Sequence, residues 1–316
     1  MTSFSILTQL LAVLAATRAA PLLVGWVNQC RAWLQNRRAP SIFLPYHGMR
    51  KLFLKDAVIA TDASPLFRIA PYVVFGDMVV SAAIVPSIGT HLPMTTVADG
   101  IALVGLLATA RVFIALAAMD IGTAFGTLGA RREMMVGFLA EPALLMVIFV
   151  ASLISQTTAL PAIAEDLATR PLELFPSLAF TAVAFTIILL AENARIPVDN
   201  PATHLEVTMI HEAMLLEYSA RHLALMEWAA ALKLFNYACI GFALFVPWGA
   251  ASDASGIAGM LVAIPVLAVK LAIAGAGLAV IVTVSAKLRI FRAPEFLATA
   301  FLLAVLGLLV RLLLGS

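Results

Sequence analysis

Between Ile188 and Lys233 an otherwise apolar chain gathers six carboxylates, three histidines and three cations. The carboxylates are Glu192, Asp199, Glu206, Glu212, Glu217 and Glu227; the histidines are His204, His211 and His222; the cations are Arg195, Arg221 and Lys233. Burial disfavours the charged form of such groups and a neighbouring charge favours or opposes it, so their protonation follows small changes around them. The chemistry on offer is proton relay or ion pairing. Glu141, followed by Pro142, and Glu192 carry the acidic series into apolar stretches. Arg111 and Asp120 flank one half of another apolar stretch, either as relay members or as halves of static ion pairs, and Asp77 stands without an obvious partner inside a fourth. Lys270 and Arg18 are also set among apolar residues, where a long side chain can snorkel.

Metal and nucleophile chemistry finds no support in the spacing. His204 and His211 are seven residues apart rather than four, and no histidine follows His211-Glu212 at the zincin interval. Cys30 and Cys239 lie far from each other and read as ordinary small side chains. There is no Gly-rich phosphate loop and no nucleophile elbow. The expectation is a chain that holds no metal or cofactor and is not catalytic by itself.

The elements that must position these groups are membrane helices. Hydrophobic residues make up 62% and charged residues 12% of the 316 residues, against about 45–50% and about 25% in soluble domains; the mean hydropathy is +1.02. The expected fold is all-α, a polytopic transmembrane helical bundle forming a single domain over 1–316. Eight spans are expected, at roughly 4–27, 66–88, 97–119, 135–156, 174–191, 220–247, 257–285 and 295–314. No basic segment precedes the first apolar run, which reads as a retained helix.

Connections at about 28–65, 120–134, 192–219 and 286–294 carry Arg31, Arg37, Arg38, Arg50, Lys51, Lys55, Arg131, Arg132, Arg195, Lys287, Arg289 and Arg292, while the other face offers Arg170 alone. Positive charge is retained in the cytoplasm, which puts both termini on the non-cytoplasmic side. Residues 28–65 include an amphipathic stretch, Tyr46 to Leu54, too short to span. These loops read as a docking surface for a cytoplasmic partner, with Arg37, Arg38, Lys51, Arg131, Arg132, Glu133 and Arg195 as its candidates; the alternative is contact with anionic lipid.

Within the charged stretch, Asp199-Asn200-Pro201 is a good helix start, and Thr203 with Glu206 offers a competing capping box. A helix running on from there places Glu206 and Glu217, eleven residues apart, on one face and His204 and His211 on the other. A solvated surface helix would share that pattern.

Several of these residues fall into familiar groups. Asn36-Arg-Arg-Ala-Pro40 with Lys51-Leu52, Asp120-Ile-Gly-Thr-Ala-Phe125, Arg132-Glu133, Glu141-Pro142, Glu192 with Arg195-Ile-Pro-Val-Asp199, and Glu217-Tyr-Ser219 occur in that order over most of the chain. In these the chain resembles the subunit 1 family of respiratory complex I and membrane-bound nickel-iron hydrogenases. Asn200-Pro-Ala-Thr-His-Leu-Glu206 and Ile210-His-Glu-Ala-Met214 look like the formate hydrogenlyase branch. The interval between Glu206 and Glu217 is about three residues longer than in the quinone-reducing branch, which argues against a quinone substrate. Two departures stand out: Gly48 where the family carries an acidic residue, and Ala220 where it carries glycine.

The resemblance implies a membrane-anchor and ion-coupling subunit of a hydrogenase complex in a bacterial or archaeal cytoplasmic membrane. Its partners would be cytoplasmic hydrogenase small and large subunits, a ferredoxin-like iron-sulfur subunit and antiporter-like membrane subunits, with no nucleic acid. Iron-sulfur clusters and a nickel-iron centre would sit in those partners. Glu141, Glu192, Glu206, Glu212, Glu217 and Glu227 would line an acidic funnel, with Asp199, His204 and His211 as further proton-transfer candidates. The alternative is the equivalent subunit of a quinone-reducing complex, forming part of its quinone chamber.

Overall fold

The computed structural model describes residues 3–90, 93, 99–170, 176–195, 209–251, 256–285 and 292–314. Asp199, His204 and Glu206, with both competing helix starts, lie outside the described residues. Eleven helices are found among the described residues: α1 (Ser3–Leu34), α2 (Leu44–Phe53), α3 (Pro65–Ile84), α4 (Gly100–Asp120), α5 (Ala124–Ser155), α6 (Leu160–Thr169), α7 (Pro176–Glu192), α8 (His211–Leu215), α9 (Ala220–Phe245), α10 (Gly256–Val284) and α11 (Ala293–Leu314). Seven are long and apolar enough to cross a membrane, and α7 is an eighth apolar helix of 17 residues. At 1.5 Å per residue α7 is about 26 Å long, close to the shortest helix that crosses hydrocarbon. Each expected span thus has a counterpart.

Local sequence sets where the helices begin. Ser64 accepts a hydrogen bond from Leu66 N at 3.1 Å ahead of Pro65, and Asp99 Oδ1 accepts from Ile101 N and Ala102 N at 3.1 and 3.0 Å. Those backbone donors, Ala102 above all, hold the Asp99 carboxyl below its usual range. Thr123 caps α5 through Gly126 N at 3.3 Å. That cap starts α5 well before residue 135, so the segment 120–134, expected as a connection, is a tight turn followed by the first helical turns of α5. Arg131, Arg132 and Glu133 are consequently helix residues. Likewise α1 runs to Leu34 with Arg31 in its last turn, where a cation suits the helix dipole.

The charged stretch is not one continuous helix among the described residues. α8 ends at Leu215, and Ser219 is extended (φ −134°, ψ 161°) before α9 begins. The Ser219 hydroxyl is committed elsewhere: it accepts from Val58 N at 2.9 Å and donates to Val58 O at 2.7 Å. Ala220 then takes φ +48°, a left-handed conformation that glycine, the residue the resemblance leads one to expect there, would adopt without strain. Glu217 lies past the helix end and is exposed.

α9 runs through the middle of the bundle, touching α1, α2, α3, α6, α7 and α10. α11 lies against α7 and α5, and α4 against α3 and α5. Outward faces of α10 and α11 present Leu261, Val262, Ile273, Leu302, Leu309 and Leu313, all exposed, as a lipid-facing surface does.

Candidate functional site

The site is built around Arg111 on α4, whose guanidinium is buried at 4% exposure. Its Nε donates to Glu133 Oε1 at 3.1 Å, its Nη1 to Glu141 Oε1 at 2.5 Å and its Nη2 to Glu192 Oε1. Glu133 and Glu141 come from α5, Glu192 from the last turn of α7. Lys233 on α9 adds a second cation, with Nζ 2.8 Å from Glu192 Oε2. Tyr237, one turn further along α9 and fully buried, also interacts with Glu192. His211 Nδ1 stands 3.5 Å from Glu133 Oε2, an ion pair when the imidazole is protonated.

The sequence arranges this economically. Glu133, Gly137 and Glu141 are spaced by four and share one face of α5. A Cβ on Gly137 would meet Arg111 Cδ at 2.8 Å and Cζ at 3.0 Å, so only glycine leaves room for the guanidinium between the two glutamates. Lys233 and Tyr237 are likewise four apart on α9. Arg111 and Asp120 are nine apart, which puts them on opposite sides of α4. Asp120 belongs to no ion pair among the described residues; its Oδ2 accepts from Ser64 N at 2.9 Å and ties α4 to the start of α3.

Two cavities meet this cluster. The larger, about 780 Å³, is lined by Arg111, Glu133, Glu192 and Lys233 together with His211, Glu212, Glu227, Arg31 and Arg195, and by apolar groups from α1, α2, α3 and α9. Tyr218 closes part of its wall, stacked on Phe67 at 4.0 Å and donating to Phe67 O at 3.1 Å. Burial pushes its phenol above the usual range. The smaller cavity, about 590 Å³, lies between α4, α5 and α11; Glu141 is the charged residue in its lining. Glu141, with a side chain 31% exposed, is therefore the cluster member that reaches that second space.

The candidates distribute as follows. Glu141, Glu192 and His211 join the cluster; Glu212 and Glu227 line the large cavity. Glu217 does neither. Of the docking candidates, Arg37, Arg38, Lys51 and Arg131 are exposed, and Arg132 donates to Met209 O at 3.0 Å. Glu133 is corrected from a surface residue to a buried one at 2% exposure, because the early start of α5 turns it inward. Arg195 faces the large cavity. Gly137 and Tyr237 were outside the sequence-based candidates, and Lys233 was counted in the charged stretch without a role; the spacing by four on α5 and α9 was their signal. Gly48 points into open space, and Asp77 keeps Oδ2 buried without a hydrogen bond. No group of three or more His, Cys, Asp or Glu side chains is placed to hold a metal ion among the described residues.

Together these features define a multi-pass membrane protein with a buried arginine–carboxylate network between two cavities. Over residues 6–313 the chain matches the NADH dehydrogenase family, and it belongs to that family as a subunit 1-type member. It is 30% identical over 303 residues to formate hydrogenlyase subunit 4 of Escherichia coli (strain K12), covering 96% of this chain and 97% of that protein. It is 36% identical over 238 residues to hydrogenase-4 component C of the same organism, covering 74% and 73%. In fold it is similar to a chain of the membrane-bound sulfane sulfur reductase, an archaeal respiratory membrane complex, with a TM-score of 0.83 at 19% identity and 96% and 98% coverage.

Proposed function

We propose that this chain is the membrane-anchor and ion-coupling subunit of a hydrogenase-like complex, and that the Arg111 cluster holds and passes the coupled proton. The supporting observation is a count of groups: three carboxylates, Glu133, Glu141 and Glu192, face two basic side chains, Arg111 and Lys233. Buried charges are costly unless balanced, so the excess negative charge favours one bound proton, on a carboxyl or on His211. That proton has two outlets. His211, Glu212 and Glu227 offer a route from the large cavity, and Glu141 offers one to the smaller cavity on the bundle's flank.

In this reading the exposed Arg37, Arg38, Lys51 and Arg131 dock a cytoplasmic arm made of hydrogenase small and large subunits and a ferredoxin-like subunit. Their iron-sulfur and nickel-iron groups carry the electrons. An antiporter-like subunit sits against the α4, α5 and α11 flank. Both termini face away from the cytoplasm, in a bacterial or archaeal cytoplasmic membrane. Movement of the arm would act on the short helix α8, which carries His211, and so on the charge beside Glu133.

The test is Glu141→Gln in the intact complex reconstituted into vesicles. Proton movement per electron falls at least about tenfold while hydrogenase turnover with a soluble electron carrier persists. Unchanged proton movement would remove Glu141 and the cluster from the path. A quinone-reducing complex is the second reading, favoured by the size and apolar walls of the large cavity; quinone reductase activity of the intact complex, sensitive to inhibitors that fill this cavity, would select it.

A further inference from the structure

Arg31 and Arg195 are the two cations of the large cavity that the Arg111 cluster does not use. Each has a buried Nε with no hydrogen-bond partner, and neither has a carboxylate within ion-pair distance among the described residues. A buried donor without an acceptor costs roughly 1–3 kcal/mol, more when charged, so two in one place call for an acceptor beyond the described residues. They also oppose each other: burial and then the Arg31 charge hold Arg195 down to about 10, still protonated at neutral pH. An anion between them would satisfy both.

Their depth narrows the choice. Arg31 lies in the last turn of α1, and Arg195 three residues beyond the end of α7. As the first and fifth spans, α1 and α7 run in the same direction, so both arginines sit at one membrane surface, where lipid headgroups lie. The same cavity continues past apolar wall residues Val24, Met49, Val74, Met78, Leu223 and Met226. Guanidinium pairs match phosphate oxygens with forked donors, and the apolar wall matches a hydrocarbon chain.

We propose that Arg31 and Arg195 form the headgroup end of a binding site for a phosphate-headed anionic lipid, one acyl chain of which lies along the apolar wall of the large cavity. A free phosphate would share the headgroup chemistry but leave that wall unfilled. No carboxylate lining the cavity forms an ion pair with either arginine among the described residues, and Glu133 and Glu192 are held by Arg111 and Lys233. The site is independent of the proton role of the Arg111 cluster, and each can fail alone.

The test is native mass spectrometry of the full-length chain, purified in neutral detergent and supplied with phosphatidylglycerol, phosphatidylcholine or inorganic phosphate. One phosphatidylglycerol is retained per chain, in preference to phosphatidylcholine. Arg31→Gln and Arg195→Gln each lower retention about tenfold or more, Arg195→Lys keeps most of it, and Lys55→Gln on the exposed surface changes nothing. Val24→Trp, which fills the wall and leaves both arginines, also lowers it. Retention unchanged in the Arg31→Gln/Arg195→Gln double variant would mean annular lipid only and would overturn the site. Displacement by inorganic phosphate, with no effect of Val24→Trp, would make it a free-anion site and overturn the lipid. Should the double variant fail to fold, the Arg195→Lys and Val24→Trp results decide.

Discussion

The two ends of the large cavity treat buried arginine in opposite ways. At the inner end Arg111 has three carboxylate partners, and Lys233 shares one of them. At the helix-end side Arg31 and Arg195 share the cavity lining, with no ion-pair partner among the described residues and with orphaned Nε donors. A guanidinium enclosed by carboxylates is part of what holds four helices together. One without them is a cost the fold carries, and such costs persist where something outside the chain offsets them. The contrast separates internal cohesion from an outward-facing site within one cavity.

Substitution should expose that difference. Arg111→Gln leaves three carboxylates around a neutral side chain and should lower the stability of the purified chain by about 3–5 kcal/mol, read from thermal unfolding in detergent. Arg31→Gln and Arg195→Gln, measured without added lipid, should change it by less than about 1 kcal/mol or raise it. Equal losses at both ends would erase the distinction. Gly137→Ala sharpens it from the backbone side: its Cβ must displace Arg111, for about 1–3 kcal/mol. The smallest effects lie at the junction between α8 and α9. Ser219→Ala removes both hydrogen bonds to Val58 and should cost about 1 kcal/mol, and Ala220→Gly should gain up to about 1 kcal/mol by relieving the left-handed alanine.

How much of this the sequence disclosed depended on the range of the interactions. The spanning helices were legible because twenty apolar residues in a row leave few alternatives. The start of α5 was not, because a hydropathy window centred on 135–156 passes over a cap at Thr123 that one side chain supplies. The density of charge near residue 200 drew attention to the right part of the chain. A helix continuous through Glu217 did not form, since α8 ends at Leu215 and Ser219 is held extended by Val58, 161 residues away, while Glu206 and His204 lie outside the described residues. Arg111 reaches Glu133, Glu141 and Glu192 across separations of 22, 30 and 81 residues, which no local pattern reveals. The spacing of Glu133, Gly137 and Glu141 was local and readable, and it marks the cluster as well as any longer motif. Glu133 was assigned to the surface only because the segment before 135 was taken to lie outside the helix.

The charge imbalance of the cluster can be measured directly. Infrared difference spectra of the full-length chain at pH 7, in H₂O and D₂O, report the C=O stretch of protonated carboxyl groups. One such band should be present in the unmodified chain and be lost or shifted in one of the variants Glu133→Gln, Glu141→Gln and Glu192→Gln, or move to an imidazolium signal that disappears in His211→Gln. If all four variants leave the spectrum unchanged, the three carboxylates are ionised together, the cluster holds no proton, and it is a static brace.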